Sequence, residues 1–281
     1  DAGIEGVTGR LLGDESRYDT ERYNPSWPER YITQNNTGPL TALSVDDGFS
    51  QFEPAVAAPN PAAWAATALS SELSSLGIAT GGTGNGTAPP EAVVVATVES
   101  LPLSEIISEM LGESDNNTAE LLTKEAGTLD GDIGRTADGL MVARAEIGEL
   151  EADISQVVLV DGSGLDPNNL VTCELLVNVL LASGRDSSLA QGLAVVGETG
   201  TLAHRFPDTP LAGNLRAKTG FINTVTGLAG FIQTPGGEEL VFALISNDLS
   251  VAGTEGFDLQ EQVGLRLYGS PAAPDTSDLA P

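Results

Sequence analysis

Apolar residues recur at helical spacing in several stretches of the chain. Leu103, Ile106, Ile107 and Met110 fall on one face at spacings of three and four residues, which predicts a helix over 100–110. The same periodicity predicts further helices at 62–76, 117–126, 136–152, 173–183 and 254–268.

Runs of apolar and β-branched residues predict the strands. They lie at 6–14, 41–45, 93–98, 157–160, 214–218, 227–234 and 240–246. The last two are separated by a Pro-Gly-Gly turn, so we expect an antiparallel hairpin. The Gly-rich stretch 80–90 predicts a surface loop, and the Pro- and Asp-rich tail 270–281 predicts disorder. The order of elements indicates an α+β fold in which antiparallel strands are covered by helices.

Composition excludes several classes of function. The net charge is −28, from 40 acidic and 12 basic residues. Duplex nucleic acid and anionic membrane surfaces are therefore disfavoured as partners, because both are bound by Lys and Arg. No apolar run approaches the roughly 20 residues of a membrane span, so no transmembrane segment is expected. One cysteine and one histidine offer no metal-ligand spacing, and no cofactor is implied.

Two tripeptides carry most of the chemical information, Ser114-Asp115-Asn116 and Lys218-Thr219-Gly220. They match two of the three active-site elements of the penicillin-recognising serine enzymes, S-x-x-K, S-x-N and K-T-G. The third element supplies the nucleophile and its base, and it is absent from these 281 residues. The chain has two lysines, Lys124 and Lys218, and the residue three positions before each is a leucine.

Lys218-Thr219-Gly220 has the chemistry to hold a carboxylate. The lysine charge and the threonine hydroxyl can bind a C-terminal carboxylate, and Gly220 lets a substrate backbone approach the strand. A strand end with an accidental K-T-G is the alternative interpretation. The scarcity of lysine favours the functional one.

Ser114 and Asn116 have the chemistry of a proton bridge, because both donate and accept hydrogen bonds without charge. A helix N-cap explains the same residues equally well. Asp161-Gly162-Ser163-Gly164 lacks the first glycine of a nucleophile elbow, so we interpret it as a turn. His204 is the only histidine, and nothing near it in the sequence supports a Ser-His-Asp triad.

Taken together, these segments resemble one family, the class C low-molecular-mass penicillin-binding proteins, which are D-alanyl-D-alanine carboxypeptidases and endopeptidases. The similar strings occur in the family's order along most of the chain. They are 6–9 with 13–16 and Trp27, 41–46, 114–122, 161–170, 194–206 and 217–220.

The resemblance implies a penicillin-recognising transpeptidase domain with an inserted smaller domain. Residues 1–98 would be the remnant of the insertion with its return strands, and 99–269 the C-terminal part of the catalytic domain. Ser114 would relay protons and Asn116 would hold the substrate amide. Lys218 and Thr219 would hold the terminal carboxylate, and the N–H of Phe221 would complete the oxyanion hole.

Three departures from the family pattern follow. The S-x-x-K segment is missing, Phe221 stands where the family usually has Ser or Thr, and 51–61 is too short for the family's third domain. The chain also enters a strand-like stretch directly after Asp1, so we expect the C-terminal part of a longer, exported protein, inactive by itself.

The expected function is that of a serine-type D-Ala-D-Ala carboxypeptidase/endopeptidase acting on peptidoglycan stem peptides and inhibited by β-lactams. The alternative is a non-catalytic module that binds peptidoglycan peptides. A β-lactamase is disfavoured, because no glutamate is assigned as the base for deacylation. The resemblance implies a periplasmic, extracellular or cell-wall location.

Overall fold

The structure is a computed structural model that describes residues 3–129 and 131–270. The α-helices are Glu29–Thr33 (α1), Pro61–Ser75 (α2), Leu103–Glu113 (α3), Asn116–Ala126 (α4), Thr136–Gly148 (α5), Cys173–Ser183 (α6), Ser188–Gly192 (α7) and Phe257–Tyr268 (α8). The strands are Leu11–Gly13 (β1), Phe49–Phe52 (β2), Ala55–Ala57 (β3), Thr83–Asn85 (β4), Ala194–Val195 (β5), Leu215–Ile222 (β6), Val225–Gln233 (β7) and Glu239–Ser246 (β8). The predicted α+β class is confirmed.

The described residues form two compact units, each with its own apolar core. The first unit comprises Asp1–Ser100, Asn116–Ala145 and Leu159–Asn169. The second comprises Leu101–Asp115, Glu146–Val158 and Leu170–Pro281.

The second unit is built on an antiparallel sheet in the order β5-β6-β7-β8. Successive side chains of a strand point to opposite faces, and both faces of this sheet are apolar. On one face, Leu215, Leu228 and Ile232 are buried with Leu265 of α8 against them. On the other face, Phe231 packs with Leu180 of α6 and Ala190 of α7. The sheet is therefore covered by helices on both sides, and the predicted β7–β8 hairpin is confirmed.

The first unit has a smaller core around an aromatic pair. Trp27 and Tyr31 are buried with Leu40 and Leu165. In the same unit, α2 begins at an N-cap, where the Asn60 side chain accepts a hydrogen bond from the N–H of Ala63. The helix ends before Gly77, which has a φ of +81°. Residues with a side chain rarely adopt this left-handed conformation, so glycine is favoured there. The predicted helix at 62–76 is thus confirmed.

Two predicted strands in the first hundred residues are wrong. At 41–45 the chain forms no strand; Thr41 is buried and its hydroxyl donates to the Glu15 carboxylate at 2.7 Å. The segment 93–98 contains four valines but pairs with no strand among the described residues, and the exposure of these valines runs from 61% to 94%. A β-prone run becomes a strand only when another strand is available to pair with it.

Two other local predictions also need correction. The predicted strand 157–160 is reduced to one bridge, between Val158 and Leu170, and the N–H of Val160 donates instead to the Asn169 side chain at 2.8 Å. The predicted loop 80–90 contains β4, which pairs in parallel with β1.

Some predictions are not tested by these elements. The division at residue 98 into an inserted-domain remnant and a catalytic domain stays a prediction. Residues 271–281 of the predicted disordered tail lie outside the described residues. Across the part of the chain that the structure describes, no helix is both long and apolar enough to cross a bilayer.

Candidate active site

Ser114 lies at the C-terminal end of α3, in the second unit. Its backbone is left-handed, with φ 59° and ψ 47°, and the N–H of Asp115 bonds back to the carbonyl of Met110 at 3.0 Å. This geometry ends the helix after Glu113, and α4 begins at Asn116. The helices predicted at 100–110 and 117–126 imply a short connection around this tripeptide, and the structure confirms it.

The side chain of Lys218, in the second tripeptide, contacts Ser114 of the first. It lies in β6, and its Nζ donates to the Ser114 hydroxyl at 2.5 Å and to the carbonyl of Thr219 at 3.0 Å. The two residues are 104 positions apart in the chain. A hydroxyl that accepts from an ammonium group keeps its own proton for another acceptor, so Ser114 has the arrangement that a proton relay needs.

The strand around Lys218 has an open edge. On that side β5 pairs only with Arg216 and Ala217, so among the described residues β6 continues beyond β5 without a partner strand. The carbonyl of Leu215 accepts from the N–H of Val196 on the β5 side. Residues of one parity share a side of an antiparallel strand, so the backbone groups of Thr219 and Phe221 face this open edge. An extended peptide could add there as a further strand.

Lys218 is a mostly buried cation that has no carboxylate partner in the described part of the chain. The ion pairs among residues 3–129 and 131–270 do not include it. Burial lowers its pKa to about 8, because the interior disfavours the ammonium form. Near pH 7 the group is still mainly protonated. A buried charge is normally paired, so the carboxylate of a bound ligand could be the partner of the Lys218 ammonium group.

Thr219, Gly220 and Phe221 complete the tripeptide and its flank. The Thr219 hydroxyl donates to the hydroxyl of Thr201 at 2.9 Å. Gly220 is exposed, and Phe221 is 57% exposed with its ring 5.9 Å from that of Phe257. Phe221 therefore places an exposed aromatic ring, with no hydroxyl, directly after the tripeptide.

In the first unit, Asn116 begins α4. Its side-chain N–H donates to the carbonyl of Asn36 at 2.8 Å, which leaves its side-chain oxygen as an acceptor. Asn117, the next residue, is buried and accepts from the Thr37 hydroxyl at 2.9 Å.

The segment Asp161–Gly164, also in the first unit, is a turn held by its own aspartate. Gly164 has a φ of +79°, and its N–H donates to the Asp161 carboxylate at 2.8 Å. A Cβ at Gly162 would lie 2.0 Å from the Thr123 hydroxyl. The turn therefore packs so closely on α4 that only glycine fits at 162, and the interpretation as a nucleophile elbow has no support.

Glu120 is the residue that sequence reasoning left without a role. It lies on α4, has no exposed surface, and its Oε1 accepts from the N–H groups of Gly162 and Ser163 at 2.9 and 2.7 Å. Its Oε2 is buried and has no hydrogen-bond partner among the residues that the structure describes. The residue stood in the matched string 114–122, but only the fold shows that it anchors the turn at Asp161.

The environment of Glu120 favours its neutral form. Burial raises its pKa to about 7; hydrogen bonds from Ser163 and Gly162 oppose the shift, and the Asp161 charge adds to it. The unfolded chain would titrate this group near its ordinary value of 4.5. The folded state thus binds more protons between pH 4.5 and 7, so the stability that this group contributes is lost as pH rises through that window.

We expect Glu120→Gln to remove this pH dependence. Glutamine keeps an oxygen for the two N–H donors and cannot ionise. The difference in unfolding free energy between the two proteins should shift in favour of the variant by about 2–3 kcal/mol between pH 4.5 and pH 8. Urea unfolding of both proteins at the two pH values measures the shift. An equal difference at both values would show that Glu120 does not titrate in this range.

The remaining candidates carry no visible chemistry. His204 is exposed, and Cys173 is an exposed free thiol at the first position of α6. Within the described ranges, no group of three or more His, Cys, Asp or Glu side chains is arranged to hold a metal ion.

The fold is that of the penicillin-recognising enzymes. The chain superposes on penicillin-binding protein 4 of Haemophilus influenzae with a TM-score of 0.81, at 22% identity, over 95% of this chain and 76% of that one. A structure of penicillin-binding protein 4 from the same organism in complex with a β-lactam matches at 26% identity and a TM-score of 0.66, over 76% of this chain and 53% of that one.

The sequence comparisons place the chain in a family. Residues 50–265 match the D-Ala-D-Ala carboxypeptidase 3 (S13) family, and the chain belongs to it. It is 34% identical to a D-alanyl-D-alanine carboxypeptidase of an Actinomadura species over 85% of its length, and 30% identical to Carboxypeptidase DacB of Mycolicibacterium smegmatis over 94%. It covers 44% and 59% of the lengths of these two relatives.

Proposed function

We propose that this chain carries the substrate-holding part of a serine-type D-Ala-D-Ala carboxypeptidase/endopeptidase that acts on peptidoglycan stem peptides. The observation that carries the proposal is the Lys218 ammonium, mostly buried, lacking a carboxylate partner among the described residues and lying beside an open strand edge. This combination suits a peptide that ends in a carboxylate and binds in extended form. Membership of the S13 family supports it.

The proposed roles follow from the positions of the side chains. Lys218 and Thr219 bind the terminal carboxylate of the substrate, and the peptide pairs with the backbone of β6 at its open edge, beside Thr219. Ser114 passes a proton through the hydroxyl that Lys218 contacts. The place of Asn116 in the S-x-N motif supports a role for its side-chain oxygen in holding a substrate amide.

The N–H of Phe221 stabilises the oxyanion in this proposal. It faces the open edge, where a substrate carbonyl would arrive. Charge that develops on that oxygen is stabilised by a backbone donor already in position.

Acyl transfer also requires a serine nucleophile and a lysine one helical turn after it. The 281 residues contain no such pair, so we assign both residues to an S-x-x-K segment outside these 281 residues. The complete protein would then form an acyl-enzyme with a D-Ala-D-Ala peptide and with a β-lactam. Such a protein works outside the cytoplasm, where peptidoglycan lies.

The test is the intact mass of the protein made from the complete reading frame, incubated with benzylpenicillin. A mass increase equal to the antibiotic, together with release of D-Ala from a D-Ala-D-Ala peptide, supports the proposal. A protein that binds the peptide reversibly but shows neither adduct nor release is the non-catalytic binding module instead. The missing S-x-x-K pair is the observation that favours this second candidate.

Ligand binding should depend on the protonation of Lys218. A carboxylate ligand binds the ammonium form, so its affinity stays constant below about pH 7. Above the pKa of about 8 the affinity should fall by about tenfold per pH unit. NMR titration of the 281-residue chain with an N-acetylated D-Ala-D-Ala peptide between pH 6 and 9.5 measures this profile. A flat profile would exclude Lys218 as the carboxylate partner.

A further inference from the structure

Thr201 lies outside all three motifs of the active site but touches one of them. It occupies the single helical turn Gly200–Leu202, which follows β5 in the second unit. Its hydroxyl accepts the hydrogen bond of the Thr219 hydroxyl at 2.9 Å. After β5 the chain folds back on itself, with the N–H of Gly197 bonded to the carbonyl of Leu202, and this turn places Thr201 against Thr219, where β6 has passed beyond its pairing with β5.

The backbone holds this turn in a fixed position. Gly200 has a φ of +54°, and a Cβ on it would lie 2.2 Å from the carbonyl oxygen of Gly112, in the last turn of α3. Leu202 is fully buried, and its carbonyl accepts from the N–H of Gly197 at 3.0 Å. The helix end that presents Ser114 therefore also supports Thr201, and the hydroxyl is preorganised rather than carried on a free loop.

Of the two threonine hydroxyls, one donates to the other and the second still has a proton to donate. Each threonine has one O–H to donate. Thr219 uses its proton on Thr201, whereas the Thr201 proton is donated to no group in the described part of the chain. The pair thus has one proton left for a ligand. Phe221, which follows Thr219 on the same side of the strand, has no hydroxyl to add.

We propose that Thr201 is a specificity-determining residue, and that the Thr201–Thr219 pair donates its remaining proton to the terminal carboxylate of the bound peptide. The proton reaches the ligand from Thr201 directly, or from Thr219 after Thr201 turns to donate to it. In both cases the second hydroxyl makes the donor stronger and fixes its direction. The inference rests on the proposed carboxylate-holding function of Lys218 and Thr219.

The selectivity of this pair is for charge at the peptide terminus. A hydroxyl bonds more strongly to an ionised carboxylate than to a neutral amide oxygen. Thr201 should therefore increase the preference for a free C-terminal carboxylate over the same peptide ending in an amide. A substitution that removes its hydroxyl should reduce that preference without weakening the binding of the amide.

The experiment is an NMR titration of the 281-residue chain with N-acetylated D-Ala-D-Ala and with its C-terminal amide. Thr201→Val is expected to raise the Kd of the acid about 5- to 10-fold and leave that of the amide within about twofold. Thr201→Ser, which keeps the hydroxyl, should bind both peptides as the unsubstituted chain does. Thr201→Ala repeats the test without a branched side chain, in case valine disturbs the fold.

Each other outcome has a distinct meaning. If the unsubstituted chain does not prefer the acid to the amide, the carboxylate-holding function itself is wrong, and this inference fails with it. If the chain prefers the acid and the Val and Ala variants keep that preference, only the role of Thr201 is overturned. If the variants lose both peptides equally and serine does not restore binding, Thr201 is a structural residue and the inference is also overturned.

Discussion

Lys218→Met is expected to make the chain more stable and to weaken its binding of a carboxylate-terminated peptide. Methionine fills a similar volume without a charge. The lowered pKa of Lys218, about 8 against an ordinary 10.5, shows that the fold disfavours the ammonium group by about 3 kcal/mol. Loss of the bonds to Ser114 and Thr219 offsets part of this, so a net gain of about 1–2 kcal/mol is expected.

The same substitution should lower peptide affinity by about 10- to 100-fold, because it removes a charge-assisted bond to the carboxylate. Urea unfolding at pH 7 measures the first effect and NMR titration with the acid and amide peptides the second. The amide, which lacks the charge, should lose much less. A variant that is both less stable and equally able to bind the acid would contradict the assignment of Lys218.

Lys124, the only other lysine in the sequence, provides a matched control for Lys218→Met. Lys124 is fully buried in the first unit, and its Nζ is paired with the Asp19 carboxylate at 2.5 Å. Lys124→Met leaves that carboxylate without its partner, so a loss of about 1–3 kcal/mol in stability is expected. Peptide affinity should not change. If the change in unfolding free energy has opposite signs for the two Lys→Met substitutions, Lys218 is a cation available to a ligand and Lys124 is one that stabilises the fold.

The parts of the fold that the sequence predicted are those whose signals are local. The helix Pro61–Ser75 begins at an asparagine cap and ends before a glycine, and both residues are visible in the sequence. The β7–β8 hairpin is marked by two apolar runs and a turn. The two-residue connection that holds Ser114 follows from a helical pattern that breaks and restarts.

The predicted strands that failed depended on partners that a local pattern does not reveal. The run 93–98 has the β-branched composition of a strand, yet Val93 is 85% exposed and Val98 is 94% exposed. The same limit applies to the site. Its motif residues were found by their spacing and by resemblance, while Thr201 and Glu120 act through contacts with Thr219 and Gly162 that only the fold creates.

Asp161→Ala is expected to cause the largest loss of stability among these substitutions. Asp161 is 5% exposed, and its carboxylate accepts four hydrogen bonds. The donors are the Trp27 indole at 2.8 Å, the N–H groups of Gly164 at 2.8 Å and Asp166 at 2.6 Å, and the Asn169 side chain at 2.7 Å. Alanine leaves these donors unsatisfied, mostly in the interior, where each costs about 1–3 kcal/mol.

The expected total loss is at least about 4 kcal/mol, which would unfold a large fraction of a marginally stable chain. Asp161→Asn should cost less than Asp161→Ala, because one side-chain oxygen still accepts hydrogen bonds. It should still destabilise the fold, because the new NH2 group is itself a donor and faces other donors. Asp153 provides the matched exposed control, since its carboxylate caps a single N–H, that of Ser155, at 2.8 Å. Asp153→Ala should leave the midpoint of the same urea unfolding experiment almost unchanged. Equal losses at the two aspartates would mean that these four hydrogen bonds do not stabilise the turn at Asp161, whose N–H groups also bind Glu120.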